Sequence, residues 1–345
     1  MTESIDTDEK PHVHIVATGG TIANVGGEYD SPENFLTADD LIEELPKLEK
    51  VATITSTGIS RLGSSHLTPD VWYDVYEEIM LQAESDDPPD GFVVTHGSNT
   101  SEETAYFLNL ALDTDLPVVV TAAQRGIGKV GHEGFKNLFD AVRTAASPKS
   151  VGRGTLLVTN DEIHHSRDVS KLASNRPDAW ESSNFGKVGI TSPNQPIRFY
   201  RSADRKSGTD TVFSLSEIPL EEFPLTDIHI VYSALGEDNT IVDAIADDAA
   251  GIVVAGFLTG GGASRPEGKG SSQSDALERA AEKEIPIVMC TRGSYGCIEP
   301  KGQDLPGGYG IGGDTLRPQK ARILLALGLT KTSDPEELKE FFETY

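Results

Sequence analysis

Two stretches of this chain set small hydroxyl residues among glycines directly after a buried-strand pattern: ATGGTIAN at Ala17–Asn24 and VVTHGSNTSEETAYFL at Val93–Leu108. In an open α/β sheet the carboxyl ends of neighbouring strands converge on one crevice, so two such loops can face a single small substrate. In the first, Gly19 and Gly20 allow a sharp turn and leave main-chain N–H groups to meet an oxyanion, with Thr21 following. Taken alone, that segment reads equally as a phosphate cradle or a tight turn. Gly26 and Gly27 then hinge a loop bearing Tyr29, which either closes over a substrate or is an ordinary surface tyrosine. In the second stretch Ser98, Asn99 and Thr100 are all good N-caps, and Thr100 with Glu103 has capping-box spacing. By itself it is a helix start. Lys171, closing SRDVSK at Ser166–Lys171, is by itself a solvated lysine. Ser64 and Ser65, in GSSHLTPDVW at Gly63–Trp72, are by themselves a turn before a Pro-started helix.

Together and in this order, each after a strand pattern, these segments resemble the asparaginase/glutaminase amidohydrolase family. The first matches that family's TGGTIA motif letter for letter, and the second is close to its HGTDTMEETAYFL. The resemblance spans nearly the whole chain, to the closing PQKARILLALGLTKTSDPEELKEFF. It implies that Thr21 attacks the amide carbon of a substrate, with Tyr29 assisting, through an acyl-enzyme. It places Ser98 at the second catalytic hydroxyl and Lys171, from the RDVxK pattern that includes Asp168, as the base serving it. Ser64 takes the position that holds the substrate α-carboxylate, and Ser65 stands where a glutamine is frequent. Gly20 and Gly97 supply the turn and oxyanion loops. No metal or organic cofactor is implied.

One departure matters most. Asn99 stands where the family carries an aspartate that faces the substrate α-ammonium and helps to hold the lysine. A neutral amide does neither electrostatically, and losing one partner of a desolvated charge pair costs about 2–5 kcal/mol, roughly 30-fold to several-thousand-fold. Without that carboxylate, desolvation acts unopposed and the Lys171 pKa falls. Three readings follow: hydrolysis of the L-asparagine side-chain amide with the charge supplied elsewhere, the same mechanism on another small amide, or a catalytically silent small-molecule binding protein. Nucleophile and base retained together speak against the last. A longer family member acting on charged transfer RNA is disfavoured by the acidic composition.

The elements that must position these residues are legible in the hydrophobic pattern. HVHIVAT, VATITST, GFVVTHG, LPVVVTAA and GTLLVTN read as strands, separated by amphipathic helices such as VWYDVYEEIMLQA and GFKNLFDAVRTAAS. This predicts an α/β fold: a doubly wound, mostly parallel sheet with a second, smaller α/β domain. PIRFYRS and TDTVFSL read as an extended pair joined by the turn-like DRKSGTD. DIHIVYS, GIVVAGF and IPIVMCT, with helices TIVDAIADDA and SDALERAAEKE, form the second series, which PQKARILLALGL closes. The expected boundaries are a loose tail over residues 1–11, an N-terminal domain over 12–211, a connection over 212–226 and a C-terminal domain over 227–345. The resemblance further implies a homodimer or homotetramer with active sites between an N-terminal domain and a partner's C-terminal domain. In the family the loop matching GFLTGGGASR reaches toward a neighbouring site, but this stretch departs too far to assign residues.

Composition narrows the partners. Over 345 residues, 29 basic against 55 acidic residues give a formal net charge of -26, which argues against nucleic acid or an anionic membrane and for a small molecule. The acidic residues are spread along helical patterns, as suits a halophilic protein whose self-repulsion is screened by salt. Cys290 and Cys297 lack metal-ligand spacing, and MTESIDTDEKP lacks a signal-peptide pattern, so a reducing, cytoplasmic setting is expected. His96 is read as orienting its loop, and His132, His164 and His165 as surface or satisfied polar groups.

Overall fold

The structure is a computed structural model and describes residues 10–202 and 205–345. The first nine residues of the expected tail, and Asp204 in DRKSGTD, lie outside the described residues. The chain divides into two compact units, the first running through Ser182 and resuming over Lys187–Asp210, the second comprising Ser183–Gly186 and Thr211–Tyr345.

The first unit is built on strands β1 (His12–Gly19), β2 (Thr53–Leu62), β3 (Gly91–Thr95), β4 (Val118–Thr121), β5 (Thr155–Thr159) and β6 (Glu162–His165). Two-residue strands follow: β7 (Ser170–Lys171), β8 (Trp180–Glu181), β9 (Gly189–Ile190) and β10 (Arg198–Phe199). The eight-stranded sheet has the order β10-β9-β6-β5-β4-β3-β1-β2, and β7 pairs with β8 separately. Strands β2, β1, β3, β4 and β5 are parallel, while β6, β9 and β10 extend the sheet antiparallel. Every residue of β3, β4 and β5 is buried, as expected of parallel strands covered on both faces.

The helices of this unit are α1 (Ala38–Glu43), α2 (Pro69–Ala83), α3 (Ser101–Ala111) and α4 (Gly134–Ala145). Register lines up Ile15, Val93, Val119 and Leu156 in one row across four strands. That row packs with Leu41 of α1 and Leu138, Ala141 and Val142 of α4 in a single core. Burying each of the large aliphatic side chains stabilises the sheet by about 1.5–3 kcal/mol. Helix α2 packs on β1, β2 and α3, and α3 packs on β4 and β5.

The second unit carries a four-stranded parallel sheet in the order β11-β12-β13-β14, from β11 (Ile228–Tyr232), β12 (Gly251–Gly256), β13 (Ile287–Thr291) and β14 (Gly310–Gly312). Its helices are α5 (Thr240–Ile245), α6 (Gln273–Glu282), α7 (Pro318–Leu329) and α8 (Pro335–Thr344). Ile252, Val254 and Ile287 form its core with Val242 of α5 and Leu277 of α6.

The α/β class and the mostly parallel sheet with a second, smaller sheet agree with the sequence reading. Two local expectations do not. PIRFYRS contributes only β10, which pairs with Gly189–Ile190, and TDTVFSL is not its strand partner but forms short 3-10 turns at Gly208–Asp210 and Leu215–Glu217. Helix α5 also stops at Ile245, before the polar end of TIVDAIADDA.

Candidate active site

The strand order reverses direction at β1. From β1 the chain passes to β2 on one side, then to β3, β4 and β5 on the other. A crevice therefore opens beyond the carboxyl ends of β1 and β3, the usual place for a ligand in such a sheet. The β1 end delivers Gly20 and Thr21, the β3 end delivers Gly97, Ser98 and Asn99, and the β2 end delivers Gly63 and Ser64.

These three loops touch because two of their residues have no side chain. A Cβ on Gly20 would lie 2.2 Å from the Gly97 Cα, and a Cβ on Gly97 would lie 2.6 Å from the Ser64 Oγ. Gly20 also has φ +79, a left-handed conformation that glycine adopts freely. Its N–H donates to the Leu62 carbonyl at 2.8 Å, so it is engaged and not free to meet an oxyanion. Close approach, rather than oxyanion binding, is what Gly20 provides.

The loops enclose a cavity of about 330 Å³, at the small end of the range for small-molecule sites. Thr21, Tyr29, Ser64, Ser65, Ser98, Asn99 and Lys171 all line it, with Gly20 and Gly97, so the structure brings together the residues singled out from the sequence. Thr21 is buried, and its Oγ1 lies 3.2 Å from the Tyr29 hydroxyl. Tyr29 is partly exposed and sits edge-on to Phe35, and its carbonyl accepts the Gly63 N–H at 2.7 Å. Ser64 Oγ accepts the N–H groups of Asn99 and Thr100 at 3.2 and 3.3 Å. Its own hydroxyl proton is then what it has left to donate. The expected capping box is absent: Thr100 makes no side-chain cap bond, and its hydroxyl donates to the Ser64 carbonyl at 3.1 Å.

Lys171 enters from β7. Its Nζ donates to Ser98 Oγ at 2.9 Å and to Asn99 Oδ1 at 3.1 Å. Asn99 thus holds the lysine by a hydrogen bond, without the charge that a carboxylate would bring. The charge lies elsewhere: Glu102, buried in the first turn of α3, accepts the Lys171 main-chain N–H at 2.7 Å. Burial lowers the Lys171 pKa below the usual lysine value, and the negative charge of Glu102 opposes that shift. Trp180 lies opposite Lys171 in the β7–β8 pair, its ring centroid 5.9 Å from Nζ, and its indole N–H donates to Ser101 Oγ at 3.3 Å. Asp168 is not among the lining residues; it pairs with Arg201 at 3.3 Å and Arg167 at 3.7 Å.

Two family profiles match the chain: Asparaginase, N-terminal over residues 12–205, and Glutaminase/Asparaginase C-terminal domain over residues 227–342. The chain belongs to the asparaginase family. It is 36% identical to L-asparaginase 2 of Bacillus subtilis, covering 97% of this chain and 87% of that protein. It is 34% identical to L-asparaginase 2 of Escherichia coli, covering 97% and 93%. A crystal structure described as a probable cytoplasmic L-asparaginase from Campylobacter jejuni superposes with a TM-score of 0.86 at 32% identity, covering 97% of this chain and 100% of that one.

In this asparaginase-family chain His96 is wholly buried behind the site, its Nδ1 bonding the Gly97 carbonyl at 2.8 Å. A carbonyl only accepts, so Nδ1 carries the proton and Nε2 accepts from the Thr104 hydroxyl at 2.9 Å. That hydroxyl in turn accepts the Trp72 indole N–H at 2.8 Å. The chain of bonds suits a neutral imidazole, and burial lowers the His96 pKa from an ordinary 6.5 to about 4. Between those values the unfolded chain takes up a proton that the native state refuses, so stability falls on acidification. We expect this group to cost about 2–3 kcal/mol between about pH 7 and about pH 4.5. Urea unfolding at both pH values checks this; a His96→Gln variant with the same pH dependence as wild type would refute it. His164 and His165 are buried and not at the surface, with His164 Nδ1 bonded to Ser182.

Sequence reasoning missed Glu102, Gln124, Ser174 and Asn175. Gln124 carried a usable signal, since it follows the β4 strand pattern, next to β3, at a carboxyl end. Glu102 carried none beyond its place in a helix's first turn, where an acidic residue favours the dipole anyway.

Proposed function

We propose that this chain hydrolyses the side-chain amide of L-asparagine to L-aspartate and ammonia through a threonine acyl-enzyme. The observation that carries the reading is two hydroxyl–partner pairs in one cavity, Thr21 with Tyr29 and Ser98 with Lys171. Thr21 Oγ attacks the amide carbon, and its proton moves by way of Tyr29 toward the leaving nitrogen. Ammonia departs, leaving an ester on Thr21. Water, deprotonated along the Ser98–Lys171 pair, then attacks the ester carbon; the acyl–Oγ bond breaks, L-aspartate leaves, and the proton returns to Thr21 Oγ. A lysine with a lowered pKa is a better base near neutral pH than an ordinary one. Ser64 donates to the substrate carboxylate, and Ser65 sits beside it in the lining.

The names of the relatives support the amide and the substrate: L-asparaginase 2 in two bacteria, and glutaminase-asparaginase in Pseudomonas fluorescens, 31% identical over 100% of this chain and 94% of that protein. Ammonia release from L-asparagine by the purified protein, with an acyl adduct on Thr21 in rapidly quenched samples, tests the reading. No ammonia and no adduct would sink it.

We read the protein further as a cytoplasmic homodimer or homotetramer whose N-terminal domain, residues 12–211, carries the catalytic groups. Exposed Tyr232, Leu235, Leu258 and Tyr295 on the second unit support self-association. No helix among the described residues is long and apolar enough to cross a membrane. The net charge of -26 supports a high-salt setting. Thermal unfolding is expected to shift upward by roughly 10 °C or more from low to multimolar KCl as repulsion is screened; an unchanged midpoint would remove the halophilic reading.

A further inference from the structure

The proposed base is gripped from one short stretch of chain. Lys171 Nζ donates to Ser98 Oγ and Asn99 Oδ1, in the turn that leaves β3. Two more holds come from the first turn of α3, which follows directly. Glu102 Oε2 accepts the Lys171 main-chain N–H at 2.7 Å, and Ser101 Oγ accepts the indole N–H of Trp180, the residue opposite Lys171 in β8, at 3.3 Å. Residues 98–102 therefore hold the side chain, the main chain and the strand partner of the lysine. Strands β7 and β8 are two residues each and form a sheet of their own, and such a ribbon is marginal without outside support.

Glu102 stands apart in this group because it is charged, buried and not part of the cavity lining. The hydrogen bond alone requires no charge: a glutamine would accept the same N–H without the desolvation that a buried carboxylate suffers. The other titratable groups around the lysine are placed otherwise. Glu181 of β8 is exposed opposite Ser170, Arg167 pairs with Asp168 and Asp168 with Arg201, and Tyr29, in the same cavity, bonds Thr21. Of all these, Glu102 is the one whose charge acts on Lys171, opposing the effect of burial.

We infer that Glu102 is a positioning residue for amide hydrolysis: its carboxylate fixes the Lys171 main chain so that Nζ meets Ser98, and its charge acts on the amine from outside the cavity. This rests on the amide-hydrolase reading above and adds to it the group that governs when the base is available. The sign follows from electrostatics. A negative charge near an amine favours the ammonium, so removing it leaves burial unopposed and lets the neutral amine appear at lower pH. Whatever a partner subunit brings to the cavity acts alike on wild type and variant, so the difference between them reads the carboxylate.

The test is ammonia release from L-asparagine as a function of pH, read on the alkaline limb that Lys171→Met removes, in wild type, Glu102→Gln and Glu102→Asp. Glutamine keeps an oxygen for the N–H and loses the charge, so the limb is expected to move to lower pH by roughly half a unit or more. Its position belongs to the folded molecules and does not depend on how many there are. Aspartate keeps the charge but is one methylene short of the N–H, so its limb should stay near the wild-type pH while kcat per folded enzyme falls by roughly tenfold or more. A limb at the wild-type pH in Glu102→Gln overturns the inference, as does wild-type kcat in Glu102→Asp, which decides alone where the glutamine variant fails to fold. A rate whose alkaline limb survives in Lys171→Met also overturns it and leaves amide hydrolysis standing. No ammonia from wild type removes the hydrolase reading itself, and this inference with it.

Discussion

Thr21→Ala is expected to lower kcat/KM for amide hydrolysis by about ten-thousand-fold or more with the fold intact. Removing the atom that forms the acyl bond leaves only substrate binding and the remaining polar groups, and losses of that order follow removal of a covalent nucleophile. The structural cost is small by comparison. Thr21 Oγ1 makes a single 3.2 Å contact, to Tyr29, and a partly exposed hydroxyl contact of this kind contributes about 1 kcal/mol or less. Ammonia release paired with a thermal melt separates the two effects, and Thr21→Ser, which keeps a hydroxyl, should retain measurable activity. Wild-type rates in the alanine variant would mean that another group attacks the amide.

Lys171→Met is the second large effect, expected at roughly a hundred- to ten-thousand-fold in kcat, the range in which a positioned general base acts. Methionine keeps the length and apolar stem, so the loss reports the amine. The sign of the pH dependence follows from the pKa. Lysine accepts a proton only when neutral, and burial brings that form within reach at lower pH than for an exposed lysine. The wild-type rate should therefore climb with pH through an alkaline limb that lies below the ordinary lysine range, and the methionine variant should lack that limb. A pH–rate profile unchanged in shape would assign the proton transfer to another group.

The sequence made the sheet and most of the cavity legible for a simple reason. Val- and Ile-rich runs such as Val93–Val94 and Val118–Val120 are buried on both faces, the pattern that parallel strands under two helix layers produce. The hydroxyl residues then fall at strand ends by position along the chain. The misreadings involve short or long-range partners. Strand β10 is two residues long and pairs with an equally short β9, too little for periodicity to register. Thr100 satisfies the capping-box spacing, yet its hydroxyl is drawn to Ser64, which lies 36 positions away in sequence. Glu102 meets Lys171 across 69 positions, so no local pattern announces that the lysine has a buried anionic neighbour. The reading of Asn99 was half legible: its lack of charge is written in the sequence, while its hydrogen bond to Lys171 is a matter of geometry.

The contact of Gly20 with Gly97, and of Gly97 with Ser64, also sets how this pocket can be re-engineered. There the Gly20 main chain presses on that of Gly97, and Gly97 presses on the Ser64 side chain, so any larger residue at either glycine would wedge the loops apart and displace Thr21 and Ser98 at once. A mutagenesis library aimed at new amides should leave both positions untouched and draw its diversity from the exposed lining residues Ser65, Ser174 and Asn175, where a changed side chain alters what the cavity greets without moving the groups that react.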